Sequence, residues 1–167
     1  FVATNGSTNQ TECTPGTYQP SAGQNSCLVA GFGHYVGNSG STSQIYCSEG
    51  TYQPSPGQAS CLATDPGFYV SSPGSSYQYS CSPGAYQPSG GQPSCLLADA
   101  GYYVSDYEAI SQTICTAGTY QPITGQTSCL VSDPGYSVPG LGQSSQMECD
   151  TGKYQPDYGQ VSCIEAS

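Results

Sequence analysis

The sequence predicts a small disulfide-rich β fold: an elongated rod or solenoid-like array of five 34-residue units, each with one disulfide and little or no helix. Two observations predict the array: one segment returns in strict register, and ten cysteines keep a constant spacing. The segment reads Cys-x-x-Gly-x-Tyr-Gln-Pro-x-x-Gly-Gln-x-Ser-Cys and first runs from Cys13 to Cys27. Helix is disfavoured because Gly and Pro recur throughout.

Copies of this segment begin 34 residues apart without insertion or deletion, which divides the chain into units. The divisions are 1–12 (the end of a preceding unit), 13–46, 47–80, 81–114, 115–148 and 149–167 (a partial unit). Phe1 falls in the column of Tyr35, and Ser167 falls in the column of Asp133, so the chain opens and closes in mid-unit. We therefore expect the array to continue beyond this sequence, or copies to join end to end.

Each unit has two halves of different character. The closed half, from Cys to Cys, places Pro and Gly at turn positions and predicts a short hairpin-like loop. The linking half passes an Asp-Pro-Gly or Asp-Ala-Gly turn and then an aromatic pair with Val, as in Phe68-Tyr69-Val70, which predicts a short strand. A Ser-, Gly- and Thr-rich stretch follows, such as residues 37–43, and its variability predicts exposure.

The composition alone is typical of disorder. Leu, Ile, Val and Phe number only 22 of 167 residues, and the formal net charge is −10. The ten cysteines favour a folded chain instead, because small secreted modules use disulfides where the core is thin. An extracellular or cell-surface location follows from the oxidising environment that disulfides need.

Charge and hydropathy together argue against two classes of interaction, nucleic-acid binding and membrane insertion. One Lys, no Arg and eleven acidic residues leave no cationic cluster for phosphate groups, so we expect no nucleic-acid partner. No apolar run approaches the roughly 20 residues of a membrane helix, so we expect no membrane insertion in this segment.

Two cysteine pairings respect the repeat. The first closes a loop within each closed half, and the second joins Cys27 to Cys47 and so on, leaving Cys13 and Cys163 without partners. The first leaves no free thiol, and a loop of 15 residues stabilises the fold by about 3 kcal/mol, so we favour it. It predicts Cys13–Cys27, Cys47–Cys61, Cys81–Cys95, Cys115–Cys129 and Cys149–Cys163.

Aromatic columns are the main source of apolar area. One tyrosine recurs in the closed half of every unit, and an aromatic ring can bury a large area while its hydroxyl stays hydrated. We expect these tyrosines and the Leu column to stack into a thin spine between neighbouring units. They are Tyr18, Tyr52, Tyr86, Tyr120 and Tyr154.

The closed half resembles the first module of the tumour-necrosis-factor-receptor-type cysteine-rich repeat, and it is similar to ephrin-receptor-like cysteine-rich repeats. The resemblance rests on Cys-x-x-Gly-x-Tyr and on a second Cys fourteen positions after the first. It implies an extracellular module in which these two cysteines pair, as in Cys13–Cys27. Those families usually carry further cysteines after the second, whereas Leu28-Val29-Ala30 follows here. Similar single-disulfide repeats occur in long repetitive surface proteins of aquatic microbes, which favours a building element over a receptor.

No residue set predicts catalysis, so we expect no enzyme. His34 is the only histidine and occupies the column of Phe68, Tyr102 and Tyr136, which indicates a substituted aromatic rather than a base. The cysteine spacings do not suit a zinc site, and we expect no metal centre and no cofactor.

Calcium is the one cofactor that the sequence leaves open. An Asp recurs in the linking half and offers oxygen ligands, at Asp65, Asp99 and Asp133. One carboxylate per unit favours a turn role instead.

Covalent glycans are the expected modification. Asn5 and Asn9 both begin an Asn-x-Ser/Thr acceptor pattern, and the Ser- and Thr-rich stretches suit O-glycosylation.

Two functions remain in view. The favoured one is a self-associating structural segment of an extracellular fibre or surface appendage, assembled end to end or laterally, because strictly periodic units repeat one surface. The alternative is an adhesin stalk or receptor-type ectodomain that binds a protein or glycan.

Overall fold

The computed structural model describes residues 9–166, in which all regular secondary structure is β. Every strand has only two residues, because a turn glycine or a loop rich in Ser, Gly and Pro lies next to each one. The strands are β1 Thr17–Tyr18, β2 Leu28–Val29, β3 His34–Tyr35, β4 Ile45–Tyr46, β5 Thr51–Tyr52, β6 Leu62–Ala63, β7 Phe68–Tyr69, β8 Tyr79–Ser80, β9 Ala85–Tyr86, β10 Leu96–Leu97, β11 Tyr102–Tyr103, β12 Thr113–Ile114, β13 Thr119–Tyr120, β14 Leu130–Val131, β15 Tyr136–Ser137, β16 Met147–Glu148, β17 Lys153–Tyr154 and β18 Ile164–Glu165.

Consecutive strands pair as two-stranded sheets, so the described residues form nine successive hairpins, which we number 1 to 9. In hairpin 1, Tyr18 lies opposite Leu28, and in hairpin 2, Tyr35 lies opposite Ile45. The prediction of a disulfide-rich β fold without helix is confirmed across residues 9–166. The linking half differs from the expectation, because it forms a complete hairpin rather than one strand and an irregular stretch.

The structural period is 17 residues, half of the sequence period. The first strands of hairpins 1, 2 and 3 begin at Thr17, His34 and Thr51, and each later hairpin begins 17 residues after the one before it. Odd-numbered hairpins contain the cysteines, whereas even-numbered ones contain none. Each 34-residue unit therefore holds two hairpins of one backbone design and different side chains.

The chain divides into two compact units. Of the described residues, 9–79 and 89–94 belong to the first, and 80–88 and 95–166 belong to the second. In the first unit, the Gly16 amide donates to the Val36 carbonyl over 2.7 Å, and the Gly33 amide donates to Gln53 over 2.9 Å. The second unit repeats this bond, from Gly101 to Gln121 among others. Within each of the two compact units, backbone hydrogen bonds thus join a hairpin to the next hairpin along the chain.

A second set of backbone bonds reaches further along the chain. In the first unit, Gly57 donates to Ala30 and Gly74 donates to Cys47, each over 2.8 Å. In the second unit, Glu108 donates to Cys81 over 2.9 Å from a backbone with φ of 59°. Glu108 thus holds a position that glycine fills in the other hairpins, at a conformational cost of roughly 1–2 kcal/mol.

The core consists of two columns of residues rather than of tyrosine and leucine. One column alternates the first Cys of a pair with Ala, Thr or Ser, as in Ala30 and Thr64; the other alternates Gln with Val, as in Gln53 and Val70. These residues are almost fully buried, whereas the Leu column is about half exposed, as Leu28 shows at 46%. The expectation that the tyrosines and leucines pack into a spine is therefore wrong for the leucines. The backbones approach so closely that only small or flat side chains fit between them.

Candidate functional site

Each odd-numbered hairpin is closed by a disulfide between its two cysteines. Five bonds join the pairs fourteen residues apart, with Cα atoms 5.7–5.8 Å apart, and no cysteine is free. In hairpin 3, Cys47 is fully buried, while Cys61 lies half-buried beside the second strand. The bonds are Cys13–Cys27, Cys47–Cys61, Cys81–Cys95, Cys115–Cys129 and Cys149–Cys163.

Three of the four even-numbered hairpins replace the disulfide by a hydrogen-bonded clamp, whereas hairpin 2 has Gly31 at the Asp position and keeps only the bond from the Gly31 amide to the Gln44 side-chain oxygen, over 2.8 Å. In hairpin 4, the Gln78 amide nitrogen donates to the Asp65 carboxylate, and the Asp65 backbone amide donates to the Gln78 side-chain oxygen, both over 2.8 Å. Gln78 occupies the place of the second cysteine, seventeen residues after Cys61. The same clamp joins Gln112 to Asp99 and Gln146 to Asp133.

The recurrent Asp also begins a turn. The backbone carbonyl of Asp65 accepts a bond from the Phe68 amide over 3.1 Å, as the turn interpretation of this column predicted. Its carboxylate is engaged by Gln78. Among residues 9–166, the structure gathers no group of three or more His, Cys, Asp or Glu side chains that suits a metal ion.

The Gln of the Tyr-Gln-Pro sequence braces the loop of an odd-numbered hairpin from inside. The side chain of Gln53 donates to the Ser60 carbonyl over 2.7 Å and accepts from the Ser55 amide over 3.1 Å. Gln121 makes the corresponding bonds to Ser128 and Ile123. These hydrogen bonds offset the cost of burying the polar end of the Gln side chain. In the described chain, no buried side-chain nitrogen or oxygen atom lacks a hydrogen-bond partner.

The five recurrent tyrosines lie in the first strands of odd-numbered hairpins, opposite an aliphatic residue. Tyr52 faces Leu62, and Tyr120 faces Leu130. They are half-buried, apart from the exposed Tyr154. The aromatic ring pairs found among residues 9–166 lie elsewhere: His34 with Tyr46, Tyr69 with Tyr79, and Tyr77 with Tyr79.

The first residue of the second strand forms a column of exposed apolar side chains, which we call the strand-2 column. Its apolar members are between 42% and 58% exposed and recur at the same position of successive hairpins. They are Leu28, Ile45, Leu62, Tyr79, Leu96, Leu130, Met147 and Ile164, with Thr113 as the polar exception.

Hairpin 4 carries a cluster of tyrosines that the other even-numbered hairpins lack. The ring centroids of Tyr77 and Tyr79 lie 4.7 Å apart, and those of Tyr69 and Tyr79 lie 5.7 Å apart. The Tyr79 hydroxyl donates to the Tyr77 hydroxyl over 2.8 Å. That bond, followed by desolvation and by the charges of Tyr77 and Tyr69, raises the pKa of Tyr79 above its usual value.

His34 lies in strand β3 at the position that Phe68, Tyr102 and Tyr136 hold in later hairpins. Its ring is 4.3 Å from that of Tyr46, and its Nδ1 lies 2.7 Å from the Phe32 carbonyl oxygen. It therefore packs as an aromatic ring and hydrogen-bonds to the backbone beside it.

Only one of the two predicted glycan acceptors lies in the described chain. Asn9 is exposed, as an acceptor must be. Asn5 lies outside the described residues.

Comparison with known families supports the cysteine-rich assignment. A family model described as tyrosine-protein kinase ephrin type A/B receptor-like matches residues 2–47, which include Cys13, Cys27 and Cys47. This match and the five evenly spaced disulfides indicate tandem cysteine-rich repeats of an extracellular or cell-surface type. A search of curated proteins found no match to the chain. Within residues 9–166, no helix has the length and hydropathy that a membrane span requires.

Proposed function

We propose that this chain is a structural segment of an extracellular fibre or cell-surface appendage, and that copies of it associate through their tandem hairpins. It acts by assembly rather than by catalysis, and it works outside the cell, where its five disulfides persist.

The strand-2 column is the observation that carries this proposal. Single exposed apolar side chains are common, but repeated ones that form a patch mark protein–protein contacts, and this column repeats an exposed apolar side chain in eight of the nine described hairpins. Leu62 is 47% exposed and lies opposite the half-buried ring of Tyr52, and Leu130 lies in the same way opposite Tyr120.

A second copy is the partner that fits this column best. Because every copy carries the same residues at the same 17-residue interval, one correctly placed contact brings the next pair of hairpins into register. Linked weak contacts then add up without any single strong site. Lateral association uses this column directly, and end-to-end association can continue the same arrangement between copies.

Covalent glycans are part of the proposal. The exposed Asn9 begins an acceptor pattern, and the exposed loop residues 37–40 and 105–108 are available to solvent. Sugars on these loops would limit which faces of the chain can associate.

Electron microscopy of the oxidised protein, with a matched pair of variants, tests this function. We expect filaments of uniform width from the native chain, and their loss from the double variant Leu62→Asp/Leu130→Asp, because two charges would enter the apolar contact. The control is Ile123→Asp/Leu141→Asp, which places the same charges at loop residues that are each 60% exposed. Circular dichroism should show that both variants keep the native fold.

Two outcomes would contradict the proposal. Isolated chains at every concentration of the native protein would favour an adhesin stalk or receptor-type ectodomain, to be pursued with glycan and protein ligands. Filaments from both double variants would remove the strand-2 column from the interface.

A further inference from the structure

Tyr77 and Tyr79 are an addition to the repeat rather than a part of its framework. The corresponding residues in the other even-numbered hairpins are Ser43 and Ile45, Ser111 and Thr113, and Ser145 and Met147. Those hairpins form the same strands and make the same backbone turns without a tyrosine at either of these two positions. The fold therefore does not require the pair of tyrosines in hairpin 4.

The backbone around the pair directs both rings to one side. Tyr77 lies in the bend that leads into strand β8 and Tyr79 begins that strand, and Gln78 between them points into the clamp with Asp65. The Ser75 hydroxyl donates to the Tyr77 carbonyl over 2.7 Å and braces the loop that leads into the strand. The two rings are thus held together by the clamp on one side and by the loop on the other.

The arrangement of the rings is that of two phenols about to be joined. In a bonded pair coupled at the carbons ortho to the hydroxyls, the hydroxyls lie side by side and hydrogen-bond, and the rings are twisted. Here, the hydroxyl oxygens are 2.8 Å apart, the centroids are 4.7 Å apart and the ring planes make an angle of 56°. Both side chains are open to an external oxidant, Tyr77 at 56% exposure and Tyr79 at 42%.

We propose that Tyr77 and Tyr79 form a site of oxidative modification, at which a haem peroxidase and hydrogen peroxide join the two rings as an intramolecular dityrosine. Each phenol loses one electron and one proton to give a phenoxyl radical. The two radicals couple through one ortho carbon of each ring, and each of these carbons then loses its hydrogen as a proton, which returns to a phenoxyl oxygen and restores the aromatic phenol. The net change is loss of two hydrogen atoms from the protein, while one peroxide is reduced to two waters.

The crosslink would close a loop of three residues at the start of strand β8 and would fix the two rings there, without joining β8 to β7. Hairpin 4 contains no cysteine, and its two strands are held together without a covalent bond, by their pairing and by the Gln78–Asp65 clamp. Both tyrosines belong to one chain, and because Tyr79 is also a member of the strand-2 column, the crosslink has to form before copies associate through that column.

Peptide mapping after oxidation tests the site. The native, disulfide-bonded chain is treated at low concentration with a haem peroxidase and limiting hydrogen peroxide, then reduced, alkylated and cleaved after glutamate. Cleavage after Glu49 and Glu108 releases the peptide 50–108. We expect this peptide to lose the mass of two hydrogen atoms and to give no fragment ions that separate residue 77 from residue 79.

Two variants provide the comparison. Tyr77→Ser restores the residue that the other even-numbered hairpins carry and should abolish the modified peptide. Tyr107→Ser removes a tyrosine that is 68% exposed in another hairpin and should leave the yield unchanged. The proposal is overturned if the fragment ions place the crosslink at other tyrosines, if both variants lower the yield equally, or if covalent dimers are the main product.

Discussion

Glycine serves two separate purposes in these hairpins. Gly101 combines a φ of +83° with a close approach, because a Cβ on it would meet the Gly142 carbonyl oxygen well inside van der Waals contact. Gly152 has a similar φ of +88°, yet a Cβ there would meet no atom within 4 Å. The two positions therefore separate the cost of backbone conformation from the cost of close packing.

Alanine at these two glycines should show the difference. Gly152→Ala should cost about 1 kcal/mol, since only the left-handed backbone is strained. Gly101→Ala should cost about 3 kcal/mol or more, because the new methyl group also has to push the Gly142 backbone away, and Gly142 is hydrogen-bonded to the Cys115 carbonyl. Urea unfolding of the two oxidised variants measures both values, and equal shifts of the midpoint would show that the close approach contributes nothing.

At the scale of the hairpin, the disulfide and the Gln–Asp clamp occupy the same place. Ala30 and Ala98 fill the position of the first cysteine in hairpins without a disulfide, and Gln78 fills the position of the second. A hairpin of one kind should therefore be convertible into the other with three substitutions.

Hairpin 3 offers the test of this exchange. Cys47→Ala/Cys61→Ala should lower the free energy of unfolding by about 3 kcal/mol, because a 15-residue loop is no longer closed. Adding the clamp, as Cys47→Ala/Ser48→Asp/Cys61→Gln, should recover about 1–2 kcal/mol from its two hydrogen bonds. Thermal unfolding followed by circular dichroism compares the variants. If the triple variant is no more stable than the double one, the clamp is not an equivalent of the disulfide.

The hairpins differ in how far their sequence predicts them. Pro and Gly turn signals between Cys13 and Cys27 predict the closed half as a hairpin, and the structure places one there. The hairpin of the linking half was missed, because the most conspicuous residues of the closed half are replaced there: Ala, Thr or Ser replaces the first Cys, Val replaces Gln, and Gln replaces the second Cys. The glycine 17 residues after each turn glycine, as in Gly16 and Gly33, was the available signal.

The clamp could be found in the sequence only in part. The Gln column that includes Gln78 is visible, and the Asp column that includes Asp65 is visible as a turn former. Nothing in a linear pattern shows that two polar side chains thirteen residues apart meet across a hairpin, because that depends on the register of strands only two residues long. The tyrosine pair of hairpin 4 was not predicted either, because Tyr79 stands where most hairpins carry an aliphatic residue.

At the scale of the whole molecule, charge opposes the association that the strand-2 column favours. Each copy carries a formal net charge of −10, so copies repel one another when salt is low and the Debye length is about 30 Å. Salt screens that repulsion and leaves the apolar contact in place.

Association should therefore increase with ionic strength. Raising sodium chloride from about 0.01 M to 0.15 M shortens the Debye length to about 8 Å and should shift the protein towards larger species. Sedimentation velocity at constant protein concentration and neutral pH measures the shift. Association that weakens with salt would indicate an interface built from charged groups instead.

The alternation of covalent and hydrogen-bonded hairpins also sets how the chain responds to a pulling force. Hydrogen-bonded hairpins can open under tension, whereas the fourteen-residue span between paired cysteines cannot lengthen while the disulfide remains. Of the 34 residues in a unit, 34 − 14 = 20 are then free to extend, so each unit can lengthen to about 70 Å when oxidised and about 115 Å when reduced, at roughly 3.4 Å per residue. Under tension, the even-numbered hairpins are thus the extensible links of the chain, and the disulfides of the odd-numbered hairpins limit how far it can stretch.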